Sequence, residues 1–369
     1  MLNRCHVVVL GLSISSSWGN GHATTYRSLL GALARRGHDV LFLERDVPWY
    51  AAHRDLRDWD SVRVGFYTSL EDLACQYRSA VEAADVVIVG SCVPEGPEVL
   101  EWARRSTNGV LMFYDIDTPI TLAALESGQP CEYLRPDQLR LVDSVLSFTA
   151  GHALDRLCAL GAPRAHALCC SVDPTIHLPV VEETRWDIGY LGTYAPDRQP
   201  GLEALMLDVA RTRPWGRYAV AGPMYPDTVA WPANVDRVDH LPPAAHAPFY
   251  CGQRFTLNLT RADMRRLGHS PSVRLFEAAA CGAAIISDEW PGLEDFFEPY
   301  IEILPAATRA DVEQYLDMPD AARRTLGLRA RERVLAAHTA EHRAIEFEAY
   351  AAEAMGLHQL ARSRVAQGQ

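Results

Sequence analysis

The chain contains no lysine; all 35 of its basic residues are arginine. A pyridoxal-phosphate Schiff base and a P-loop lysine are therefore excluded. Any phosphate the protein handles must be met by arginine forks, helix N-termini or a metal. No stretch approaches the roughly 20 consecutive apolar residues of a membrane span. The nine cysteines include no Cys-x-x-Cys pair, so no zinc framework is visible and reduced thiols are expected. Net positive charge is missing too: the formal value of −12 argues against a nucleic-acid partner. The opening Met-Leu-Asn-Arg runs straight into His6–Leu10 without a signal-type cleavage site, and a cytoplasmic protein is expected.

What remains is ample for two ordinary domains: 369 residues, 48% of them hydrophobic. An apolar run over Cys5–Leu12, helical spacing over Thr25–Arg36, a stop at Gly37 and a second apolar run over His38–Leu43 predict a βαβ unit. The polar loop Ser13–His22 falls at the carboxyl end of its first strand. Further strands are expected at Asp85–Gly90, Val110–Tyr114 and Ser144–Phe148. The pattern restarts near Asp187, with strands at Ile188–Thr193, Arg217–Gly222, Phe255–Leu259 and Ala284–Ser287. Ser171–Val180, with two prolines, reads as the linker, and Pro319–Ala366 as helix whose alternating charges form a solvated face. Two similar α/β halves, each mostly parallel, predict a ligand cleft at the carboxyl ends of both sheets.

The most informative stretch is Ser-Pro-Ser-Val-Arg-Leu-Phe-Glu-Ala-Ala-Ala-Cys-Gly, residues 270–282. Ser270 suits the N-cap, Pro271 the first helical position and Gly282 the stop, with Ser272 in the first turn. Such a helix start is a ready phosphate site. Glu277 interrupts the apolar stripe of Val273, Phe276 and Ala280, placed to accept ribose hydroxyls. Arg261, just after a strand, and Arg198, in the loop after Gly192, are candidates to clamp a diphosphate; His269 points at the same phosphate or at a sugar. In the first half, Gly19, Asn20 and Gly21 lead into His22. Gly19 and Gly21 match two glycines of the dinucleotide fingerprint, but Thr24 replaces the third, so NAD held through Glu44 is a minor alternative. His22 is placed to take a proton from a substrate hydroxyl, with Asp115 or Asp117 orienting it. Loops 46–75 and 91–140 supply the remaining substrate contacts, and Pro48-Trp49-Tyr50 either stacks on a sugar or belongs to the core.

Several of these segments resemble one family. Asn258-Leu-Thr-Arg-Ala-Asp-Met264, residues 270–282, and Ile285-Ile-Ser-Asp-Glu-Trp290 look like the bacterial CgeB-like (spore-maturation-type) glycosyltransferases. Trp18–Arg27, Tyr114–Pro119 and Tyr190–Pro200 fit the same group, so the similarity spans nearly the whole chain. The resemblance implies a GT-B fold: two Rossmann-like α/β/α domains with an interdomain cleft, residues 1–178 for the acceptor and 179–339 for the donor. A C-terminal helix near 340–369 packs back on the first. It implies transfer of a sugar from a nucleotide diphosphate sugar, a co-substrate, to a hydroxyl or amine of a small molecule or glycan, with no metal or other cofactor. Glu277 matches the second glutamate of the Glu-x7-Glu signature of related retaining enzymes, whereas His269 stands where the first would fall. Gly21-His22 and Arg36-Gly-His-Asp-Val40 are instead similar to inverting natural-product glycosyltransferases, in which the histidine is the general base. Inverting and retaining routes both stay open, as do a GT-B nucleotide-sugar epimerase and a non-catalytic sugar-nucleotide-binding protein.

Overall fold

A computed structural model describes residues 4–56 and 59–366. Met1–Asn3, Arg57 and Asp58 of the 46–75 loop, and residues 367–369 of the terminal segment lie outside the described residues. The chain divides into two compact units, Met1–Cys169 with Ala340–Gln369, and Cys170–Thr339.

The first unit carries a seven-stranded sheet of β1 (His6–Gly11), β2 (Asp39–Arg45), β3 (Arg63–Tyr67), β4 (Val86–Gly90), β5 (Val110–Asp115), β6 (Ser144–Ser147) and β7 (Ala165–Ala167). Their spatial order is β3-β2-β1-β4-β5-β6-β7, with every pairing parallel. Val7–Leu10, Val40–Leu43 and Val86–Val89 are buried without alternation, as strands covered by helices on both faces must be. The winding reverses between β1 and β4. Open α/β sheets bind ligands beyond the carboxyl ends at such a switch point. Gly90 closes β4 there, where any Cβ would land on the hydroxyl of Tyr26. Tyr26, from the Gly21–Arg35 helix, is 1% exposed and packs edge-on against Phe42 and Tyr114, at ring separations of 5.0 and 6.1 Å. Burying such a ring contributes roughly 1.5–3 kcal/mol. A residue without a side chain at position 90 thus seats the helix that carries His22.

The second unit repeats the plan with β8 (Trp186–Leu191), β9 (Tyr218–Ala221), β10 (Val235–Val238), β11 (Gln253–Asn258), β12 (Ala284–Ser287) and β13 (Leu304–Pro305). The order β10-β9-β8-β11-β12-β13 is again wholly parallel, and the reversal lies between β8 and β11. GT-B architecture is this pairing of two Rossmann-like parallel sheets.

Three expectations need amending. Residues 171–180 are part of the second unit: Val172 bridges to Thr339, and Asp173 accepts from the Thr175 N–H and hydroxyl at 2.9 and 2.6 Å. The charges of the last helix, Ala340–Ala366, are not all solvated. Arg36, at the end of the Gly21–Arg35 helix, grips Glu348 with two bonds of 2.6 and 2.9 Å, and the His38 ring lies 3.1 Å from the same carboxylate. Glu348 and Arg343 are buried. Four strands (β3, β7, β10 and β13) have no counterpart in the sequence expectation. Each is short, and β3, β7, β10 and β13 lie at sheet edges, where little apolar pattern is required. Among the described residues no disulfide forms and no helix is long and apolar enough to cross a membrane.

Candidate active site

The first unit gathers its polar groups at the β1/β4 switch point. Glu44, at the end of β2, is fully buried, and its carboxylate accepts from the Ile14 and Ser15 N–H groups (2.7 and 2.9 Å) and the Ser15 hydroxyl (2.5 Å). That shapes the loop after β1 and leaves Glu44 no role on a ribose, which removes the basis of the NAD alternative. Gly19 turns the loop at φ +62°. Asn20 is the N-cap: its side-chain oxygen accepts from the His22 N–H at 3.0 Å, and its amide donates to the Ser13 and Ser16 carbonyls. Gly21 opens the helix with no atom near its missing side chain.

The His22 ring, 9% exposed, places Nε2 2.9 Å from Oδ2 of Asp117, while Nδ1 is buried with no hydrogen-bond partner. Asp117 also accepts from the Ser91 hydroxyl at 2.9 Å and the Cys92 thiol at 3.3 Å. Burial alone raises the Asp117 carboxyl, but the His22 imidazole and the bonds from Ser91 and Cys92 outweigh it and hold the group at about 2. A permanently ionised Asp117 fixes the imidazole with Nε2–H toward it and leaves Nδ1 as the basic atom.

Asp115 does not share this task. Its Oδ1 accepts from the Asp117 N–H and the Thr121 hydroxyl (3.1 and 2.9 Å), and its Oδ2 is buried without a partner. Burial and then the Asp117 charge push its carboxyl up to about 7. The unfolded value is about 3.9, so the folded chain holds this proton more tightly. The resulting stability is present below about pH 4 and is lost as pH rises toward 7. Asp115→Asn keeps the acceptor and removes the titration. Thermal melts are expected to show wild type losing stability between pH 4 and pH 7.5 relative to the variant; parallel curves would refute this.

In the second unit, the helix begins at Val273, with Ser272 rather than Ser270 as its N-cap. Ser270 is fully buried, and the Ser272 hydroxyl donates to Oδ1 of Asn258 at 2.8 Å instead of capping its own helix. The stop is as expected: the helix ends at Ala280 and Gly282 takes φ +73°. Arg274, which the sequence expectation did not single out, is 7% exposed at this helix start. Its guanidinium donates to the Leu191 carbonyl and, at 2.9 Å, to Asn258, and lies 4.8 Å from the Tyr190 ring centroid. A Cβ on Gly192 would sit 2.6 Å from the Tyr190 hydroxyl and 2.8 Å from the Arg274 guanidinium, so any larger residue there would displace one of these groups. Among the described residues no carboxylate lies within ion-pair distance of Arg274. A cation in the first turn opposes the helix dipole. That contradiction is legible in the sequence.

Glu277 faces inward, 2% exposed, with Oε2 accepting from the Tyr250 hydroxyl at 2.9 Å. The His177 and His246 rings approach Oε1 and Oε2 at 3.5 and 3.6 Å, and Oε1 has no hydrogen-bond donor. Burial raises this carboxyl, but the two imidazoles and the phenol outweigh it and bring it to about 2. Burial also lowers His177 despite the nearby carboxylate. The other expected residues have neighbours of their own, although Nε of Arg198 and of Arg261 is buried with no hydrogen bond among the described residues. Arg261 Nε is 3.6 Å from Asp197, Arg198 donates to the Thr193 carbonyl at 2.5 Å, and the His269 ring bonds Asp295 at 2.6 Å. Two groupings have ligand chemistry for a metal, His22–Cys92–Asp117 and His177–His246–Glu277, with ligand atoms within 4.8 Å of one another.

A glycosyl transferase-like family model matches residues 198–349. No curated protein matches the chain in sequence. Among solved structures, sucrose-phosphate synthase from Thermosynechococcus elongatus superposes with a TM-score of 0.67 at 18% identity, covering 98% of this chain and all of that one. HepE from Anabaena, solved with UDP and glucose, gives 0.66 at 10% identity over 94% of this chain and all of its own. A glycosyltransferase of avilamycin A biosynthesis gives 0.61 at 14% identity over 95% of this chain and 98% of its own. Residues 198–349 are thus similar to a glycosyl transferase-like family, and the fold of the whole chain is GT-B.

Proposed function

We propose that the enzyme moves a sugar from a nucleoside diphosphate sugar to an acceptor hydroxyl without a metal ion, as a member of the CgeB-like group. Arg274 carries this proposal: a buried arginine with no carboxylate at ion-pair distance among the described residues, at a helix start beside Gly192, is matched by a diphosphate. The Ser272 hydroxyl stands beside it, and Arg261 and Arg198 lie on neighbouring loops. The ribose donates to Glu277 Oε1, the anionic oxygen lacking a donor, after a side-chain shift that uncovers it. UDP is the first nucleotide to test, because HepE and an alpha-glucosyltransferase of the same fold were solved with it.

In the reaction the acceptor O–H proton passes to His22 Nδ1 as the acceptor oxygen bonds the anomeric carbon. The bond from that carbon to the diphosphate oxygen breaks, and the leaving diphosphate carries its new charge toward Arg274. Electrostatic stabilisation is largest where charge develops on donors already in place. Asp117 keeps the imidazole oriented throughout and stabilises its positive charge.

Thermal melts with UDP, GDP, dTDP, ADP and NAD test the donor site. A ligand at 100 times its Kd adds about 2.7 kcal/mol. One nucleoside diphosphate is expected to raise Tm, with EDTA changing neither that shift nor turnover of the corresponding sugar nucleotide. No shift with any of the diphosphates, or a shift with NAD alone, overturns the proposal; a loss on chelation overturns its metal independence. Donor turnover with no acceptor present and epimerised sugar as product would assign an epimerase instead.

A further inference from the structure

The function proposed above leaves the acceptor unassigned, and one feature of the first unit bears on it. Three aromatic rings meet on the loops that follow β1 and β2. Trp18 and Trp49 pack edge to face, 4.6 Å apart at 71°, and the His53 ring stacks on Trp18 at 4.4 Å. Trp49, in the short helix Pro48–Ala51, keeps 51% of its surface exposed. An indole held this way, half in solvent, gains little for the core.

The cluster is fixed in place rather than merely surface-exposed. Asp55 accepts from the Ser17 N–H (3.2 Å) and hydroxyl and from Arg27 (2.6 Å), and the Asp55 and Leu56 N–H groups both donate to the Ser15 carbonyl. Ser16 donates to the His53 carbonyl at 2.9 Å, and the His53 ring bonds the Trp49 carbonyl at the same distance. Through Ser13 and Ser16, whose carbonyls bond the Asn20 amide, the same loop is tied to the cap of the His22 helix. Trp18 precedes His22 by one helical turn's worth of sequence. The platform and the proposed base are therefore held by one hydrogen-bonded loop.

We propose that this platform binds the acceptor and that the acceptor is a saccharide, an assignment that rests on the glycosyltransferase function proposed above. A sugar ring presents an apolar C–H face ringed by hydroxyls. The half-exposed Trp49 offers the flat partner for that face, and the partly exposed Asp46–Arg54 pair, bonded at 2.7 Å on the same loop after β2, offers groups that bond hydroxyls. A flat aromatic acceptor is best held between two parallel rings. The near-perpendicular Trp18 and Trp49 form no such slot.

The test is tryptophan fluorescence titration of the full chain with neutral oligosaccharides of glucose, galactose, mannose and rhamnose, alongside umbelliferone as the flat aromatic probe. At least one oligosaccharide is expected to bind. Its Kd should rise about ten-fold in Trp49→Ala, in line with the loss of one stacking contact, and recover in Trp49→Phe. The UDP-induced Tm shift should be unchanged in both variants. No binding by any oligosaccharide, tighter binding of umbelliferone, or equal Kd values in wild type and Trp49→Ala overturns the platform. A chain that binds the oligosaccharide through Trp49 but responds to no nucleotide keeps the platform and sinks the donor assignment, so the two failures are separable.

Discussion

His22→Ala is expected to lower kcat by about a thousand-fold while the UDP-induced Tm shift stays at its wild-type size. Positioned general bases contribute about 10²–10⁴ to rate, and His22 is a well-defined case. Its Nε2 is held 2.9 Å from an Asp117 kept ionised at about 2, and its Nδ1 has no hydrogen-bond partner among the described residues. Asp117→Asn keeps the volume but not the charge, so the imidazole loses its fixed tautomer, and kcat should fall by at least about a hundred-fold. Single-turnover rates with saturating donor separate this loss from weakened binding. With His22 as the base of a single displacement, the product is expected to carry an inverted anomeric centre. Proton NMR of the first-formed product reads it. A retained configuration, or a kcat within ten-fold of wild type in His22→Ala, would remove His22 from the reaction.

Arg274→Ala is expected to abolish the nucleotide-induced Tm shift and to cut kcat/KM for the sugar nucleotide by about a hundred-fold or more, the usual scale for losing one preorganised donor. Asn258, Ser272 and the Leu191 carbonyl, all bonded to this side chain or to each other, are then left to close around an empty position. Arg274→Lys keeps the charge without the fork and should recover only part of the affinity, because one ammonium does not serve the Leu191 carbonyl, Asn258 and a diphosphate together. Circular dichroism and the ligand-free Tm check that each variant is folded. Unchanged nucleotide affinity in a folded Arg274→Ala would place the diphosphate elsewhere, with Arg261 and Arg198 the next to examine.

The central strands were legible because a parallel strand buried on both faces has to be apolar throughout. Val7–Leu10, Val86–Val89 and Ala284–Ile286 therefore declare themselves in one dimension. The edge strands β3, β7, β10 and β13 carry no such demand and were missed. The helix at 273–280 was legible from its Gly282 stop, yet its start was misplaced by two residues. Ser270 and Ser272 are equally good caps in isolation; the fold buries Ser270 and starts the helix after Ser272, whose hydroxyl is taken by Asn258. Positions at strand and helix ends single out His22 and Asp117, but they single out Asp115 on the same grounds. Two residues apart on one loop, they point to different partners: Asp117 to His22, Asp115 to Thr121.

By itself, then, the sequence determined two parallel α/β halves, the exclusion of lysine chemistry, and which loops carry the polar groups. Those properties follow from local pattern and composition, where each residue contributes independently. Tertiary structure alone decided which groups meet. It turned Glu44 onto the backbone of residues 14 and 15, buried Arg274 with no carboxylate at ion-pair distance among the described residues, enclosed Glu277 among His177, His246 and Tyr250, and set Trp18 against Trp49. Partners as far apart in the chain as 177 and 277 are joined by the course of the fold, and side-chain direction, burial and ionisation are properties of that meeting rather than of any one residue.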